Sequence, residues 1–173
     1  MWKSKRNVSI TYTALPSSTP ATIKDTAKEH SSNGKLKLDD LVQYQPLNSD
    51  SWKKVEGIDT QAGDSTGEWN WRGKGWLIIA GSHWEVLGWG GGFADQQSGD
   101  ARGEGDDEEH NKGQWAVTYF AKTLFTPAGI DVYARDPAGL GEELVEEIKE
   151  ALTRSEDEGV KKLAGGLFEV KIG

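Results

Sequence analysis

Residues 7–15, NVSITYTAL, alternate Val8, Ile10 and Tyr12 with Ser9, Thr11 and Thr13. This is the period of two expected of a half-buried strand, whose successive side chains point to opposite faces. The strand ends at Pro16, which cannot donate to a sheet ladder. Further short strands are predicted at 38–47, 52–60, 67–73, 75–80 and 83–89, each bounded by Gly, Asn-Ser, Asp-Ser or Gly-Ser. Residues 114–123 and 129–135 form a last hairpin across the connection LFTPA. Short strands at even spacing, separated by turn residues, predict an antiparallel meander that closes into a barrel or packs as a sandwich.

After the break at Asp136-Pro137 the period changes. Leu140, Leu144, Val145, Ile148, Ala151 and Leu152 fall on one stripe of a helix, with Glu142 and Glu143 placed at its positive N-terminal end. Such a helix must dock on something already folded. The final piece, LFEVKI at 167–172, alternates again and is expected to pair at a sheet edge. Two segments, 16–35 and 90–113, show no sustained period and are read as flexible loops. The second is rich in acids, but its run Asp106-Asp107-Glu108-Glu109 lacks the alternate ligand spacing and central glycine of a calcium loop.

At 173 residues the chain suits one domain with its own core, so a single domain over 1–173 is expected. The net charge of −8 argues against a nucleic-acid partner or an anionic membrane surface. The longest apolar run, Trp76 to Ala80, is far too short to span a bilayer. The absence of cysteine excludes disulfides and thiolate metal sites and suits a reducing compartment, so a cytoplasmic location is expected. His30 and His110 lie in the loops, away from His83, and this leaves no histidine cluster of metal-ligand spacing. No cofactor is expected.

The stretches SHWEVLGWG, QWAVTYFAKT and IDVYARDPAGLGEELVEEIKEAL, within residues 82–152, resemble the last three strands and the following helix of lipocalins. NVSITYTAL and VEGIDTQ are similar to that family's second strand and to the end of its third. The resemblance implies a mainly β fold: an antiparallel up-and-down barrel of about eight strands, with one C-terminal helix packed outside. Lipocalins open with a Gly-x-Trp strand whose indole packs on the arginine that closes the eighth strand. Here the second-strand match begins almost at Met1, so either a first strand precedes this chain or the barrel is open. Arg135 is the counterpart of that arginine and is assigned a structural role, with Trp2 as its nearest candidate partner. An open barrel would expose strand edges and invite a homodimer.

The resemblance also implies a cavity. If Arg135 turns inward, strand parity places Asp131 and Tyr133 inside, with Ala116, Thr118 and Phe120 on the preceding strand and His83, Glu85 and Leu87 on the one before. These eight residues form the expected ligand-binding set, their polar groups meeting a ligand's polar end and Phe120 and tryptophans gripping its body. A phase error of one residue would instead turn some of them to solvent. The eight tryptophans either line such a site or fill the barrel. The leading expectation is binding, sequestration or transport of a small apolar or amphipathic ligand. A second is an isomerase, cyclase or dehydratase on the same scaffold, with His83, Glu85 and Asp131 as acid and base. A third is a protein-interaction module that uses an open barrel edge.

Overall fold

A computed structural model describes residues 1–16, 35–63, 67–91 and 113–173. Seven strands follow one another in space as they do in sequence: β1 (Lys5–Ala14), β2 (Lys37–Pro46), β3 (Lys53–Gln61), β4 (Glu68–Gly73), β5 (Gly81–Gly90), β6 (Trp115–Phe120) and β7 (Gly129–Ala134). All neighbours are antiparallel, and the sheet curls into a half-barrel. The expected mainly β, up-and-down architecture is therefore present. Most of the two expected loops lies outside the described residues, as do His30, His110 and the acidic run at 106–109.

Residues 75–80 form no strand. Gly75 to Ile79 make a 3-10 turn that carries the chain from β4 to β5, with Gly75 at φ 59°. An apolar run this short cannot be told from a strand by its period. Its backbone closes on itself, Leu77 N donating to Lys74 O and Ala80 N to Leu77 O.

The convex face of the sheet carries the helices. α1 (Glu142–Thr153) places Ile148 and Leu152 on Val117 of β6 and Ile130 of β7. Each of these side chains contributes about 1.5–3 kcal/mol when fully buried. A second helix, α2 (Glu158–Ala164), was not expected; it adds Ala164 to the same cluster. Asp157 caps it by accepting from Gly159 N at 2.7 Å and Val160 N at 3.0 Å, leaving fewer backbone donors unpaired at its first turn. Seven residues are too few for a helical period to show in sequence.

β1 and β7 are the two ends of the sheet, and among the described residues no strand pairs them. The C-terminal segment touches β1 at one parallel bridge, Arg6 to Lys171, rather than as the expected strand. There Asn7, in the left-handed region at φ 52° beside a register shift, donates its N–H to Lys171 O at 2.9 Å.

Candidate functional site

The face opposite the helices is concave and rich in aromatic and acidic side chains. Alternation along β2 puts Leu38, Asp40, Val42 and Tyr44 on one face, and the ladders carry that face across Gly57 and Asp59 of β3 to Trp69 and Trp71 of β4. Gly57 makes room here. A Cβ at that position would lie 2.0 Å from the Trp71 Nε1, so the indole lies across β3 and reaches Asp40, to which it hydrogen-bonds. Trp84 of β5 stacks on Trp69, with ring centroids 5.8 Å apart, and on Tyr12 of β1 at 5.9 Å. Its Nε1 donates to Asp59 Oδ1 at 2.7 Å. Trp2, just ahead of β1, donates to Asp131 Oδ2 on β7 at 3.3 Å. Three aspartates on three strands thus each accept one indole N–H.

One donor does not satisfy a carboxylate, which offers about four lone-pair sites. Asp59 is 0% exposed and Asp40 7%, and neither Asp59 Oδ2 nor Asp40 Oδ1 has a hydrogen-bond partner. Burial disfavours the charged form and raises both groups, Asp40 to about 7 and Asp59 to about 6. The neighbouring Asp59 raises Asp40 further, while the indole bonds pull the other way. Asp131 is also raised, mainly by burial, against the opposing bonds from Trp2 and Tyr133. The Tyr133 hydroxyl stands 3.5 Å from Asp131 Oδ2, hydrogen-bonds Thr118, and is held above the usual phenol range by burial.

Of the residues expected in the cavity, Thr118, Asp131 and Tyr133 meet on this concave face. Ala116 lies opposite Tyr133, and the Phe120 ring covers Gly129. His83, Glu85 and Leu87 are placed differently from expectation. Trp84 and Val86 occupy the concave face of β5, so His83 and Glu85 point to the convex side, where His83 Nε2 meets Glu85 Oε1 at 3.0 Å and Nδ1 meets Asn70 Oδ1 at 3.1 Å. Leu87 lies at a register shift and lines a groove against Leu144 and Ile148 of α1. The sheet therefore separates His83 and Glu85 from Asp131 and Tyr133, and the acid–base set of the enzymatic expectation is not gathered in one cavity.

Trp2 is buried, but its indole goes to Asp131 and the Tyr44 ring instead of the expected Arg135, which is exposed. Sequence reasoning missed Asp40 and Asp59. The signal was parity, since Asp40 interrupts Leu38, Val42 and Tyr44 at a core-facing position, and Asp59 follows Val55 and Gly57 in the same way.

A second concavity, of about 530 Å³, lies at the end of the sheet where β4 turns into β5 and β6 into β7. Arg72, His83 and Lys122 are among its lining residues. No family model matches the chain, and neither a curated protein nor a solved structure matches it.

Proposed function

We propose that the protein is a lipocalin-like carrier that binds a small amphipathic molecule on the concave face of its half-barrel. The ligand's polar end would donate hydrogen bonds to Asp40 and Asp59. The observation that carries this reading is the pair of buried oxygens without partners, Asp40 Oδ1 and Asp59 Oδ2, set among indole rings. Burying a carboxylate oxygen unbonded is costly, and native structures tolerate it where the group is protonated or keeps a bond for a partner. An amine or polyol head supplies the missing donors, and the Trp69, Trp84 and Tyr12 stack offers apolar and π surface to the ligand's body.

The test uses three probes of equal chain length, dodecylamine, dodecanol and dodecanoate, followed by tryptophan fluorescence. The amine is expected to bind most tightly and the carboxylate least, with Asp59→Asn weakening amine binding about tenfold, the loss of one charge-assisted bond. Folding of the variant is checked by near-ultraviolet circular dichroism. If none of the three probes binds and the purified protein carries no extractable ligand, the reading fails.

A further inference from the structure

The chain-wide charge that speaks against a membrane surface is an average, and the half-barrel distributes it unevenly. In a seven-stranded meander the β2–β3, β4–β5 and β6–β7 connections all emerge at one end. At the β4–β5 turn Trp76 is 80% exposed, with Ile78 and Ile79 beside it at 61% and 64%. At the β6–β7 connection Leu124 is 76% exposed and Phe125 58%. Large apolar side chains scattered singly on a surface need no explanation, but a concentration on the tips of adjacent loops marks an interaction site.

Neither loop is loosely built. Arg72 Nη1 donates to Ile78 O at 3.1 Å and holds the 3-10 turn. In the second loop Thr123 Oγ1 accepts from Phe125 N and Thr126 N, both at 3.0 Å, while Thr123 N donates to Thr126 O at 2.8 Å. With these backbone bonds made, the apolar side chains are held outward. Ser82 Oγ donates to Ala121 O at 2.9 Å and ties the two connections together.

The charge of these two connections has the opposite sign to that of the whole molecule. Residues 70–82 and 120–130 contain Arg72, Lys74 and Lys122 and no Asp or Glu. Lys74 pairs with Asp39, and Glu85 bonds His83. Arg72 and Lys122 have no carboxylate partner among the described residues and line the 530 Å³ groove beside both loops. Distant acids do little to cancel them, because salt screens charges beyond about 8 Å at physiological ionic strength.

We propose that this end of the half-barrel docks on an anionic lipid bilayer, with Trp76, Ile79, Leu124 and Phe125 entering the acyl boundary and Arg72 and Lys122 meeting lipid phosphates. Apolar tips ringed by cations match both layers of such a surface, and tryptophan favours its interface. A protein partner would also cover apolar tips; the uncompensated cations that line the groove favour lipid phosphate.

Co-sedimentation of the full-length protein with vesicles tests this, comparing pure phosphatidylcholine with a mixture containing about a third phosphatidylserine. Binding is expected to the anionic vesicles, at least tenfold weaker to the neutral ones, and reduced several-fold at 0.5 M salt, where the screening length shortens to about 4 Å. Two independent variants, Trp76→Ser with Ile79→Ser and Leu124→Ser with Phe125→Ser, are each expected to lose most of the binding while keeping the wild-type circular dichroism. Lys122→Gln should weaken anionic binding alone. Absence of binding to either vesicle, equal binding to both, or anionic binding that survives both loop variants would overturn the proposal. So would light scattering that shows a dimer of the wild-type chain and a monomer of both loop variants.

Discussion

Asp40 and Asp59 sit where strand parity reserves places for apolar side chains, and their protonation links stability to pH. Their folded pKa values, about 7 and about 6, lie above the ordinary value of 3.8. Between roughly pH 4 and 7 the folded chain therefore holds protons that the unfolded chain has released. The sign follows: the stability these two groups contribute is full below about pH 4 and is lost as pH rises through this window, by about 1.4 kcal/mol per group for each pH unit between its unfolded and folded values. Urea unfolding midpoints measured from pH 4 to 8 should show that decline, and Asp40→Asn should flatten it. A profile that rises steadily from pH 4 to 7, in the wild type and the variant alike, would mean these carboxylates stay ionised in the folded protein. An amine ligand, by contrast, is best held where both acids are ionised, so its affinity should increase over the same range.

At the scale of elements, the helices and the sheet depend on each other. α1 is twelve residues long, too short to be stable alone, and its Ile148 and Leu152 find their burial only on Val117 and Ile130. Leu152→Ala is expected to lower unfolding free energy by about 2–5 kcal/mol, read from urea titration, because the sheet beneath cannot close over the void. A loss below about 0.5 kcal/mol would show that the helix pair contributes little to holding the β6–β7 hairpin, since even a small core truncation such as Ile→Val costs that much. The C-terminal segment works differently, through backbone: Lys171 O accepts from Asn7 N, and Gly173 N donates to Asn7 Oδ1 at 2.7 Å. It covers one step of an otherwise unpaired edge.

At the scale of the whole molecule, the Trp2 side chain reaches across the open side of the half-barrel. Trp2 is 7% exposed, packs on Tyr44 of β2 with centroids 6.0 Å apart, and bonds Asp131 on β7. It thereby joins the two ends of a sheet that no described ladder joins. Trp2→Ala should destabilise the protein by about 3–5 kcal/mol and raise amide exchange most in β1 and β7. Exchange that rises evenly over all seven strands would show that Trp2 is only one more core residue. This link also bears on the resemblance. The curled sheet with helices on its convex side agrees with the barrel that a lipocalin implies, yet the tryptophan near the N-terminus meets an aspartate instead of the arginine at the end of the last strand.

The sequence alone determined the seven strands of the sheet, their up-and-down order and the longer amphipathic helix, because alternation, turn residues and the helical stripe are local patterns; it also read 75–80 and 167–172 as strands, which they are not. Periods also carried Asp131, Tyr133 and Thr118 to one face correctly relative to each other. Three things were settled only by tertiary structure. The phase of β5 was one, since HWEVLGW has bulky residues on both parities and only the stacking of Trp84 on Trp69 decides which set turns inward. The conformation of GWLII was another, since a turn and a strand five residues long share the same apolar run. The third was the partner of each indole. Trp71 reaches Asp40 only because Gly57 leaves the intervening strand bare, and a contact that depends on a missing side chain on the neighbouring strand has no signature in local sequence.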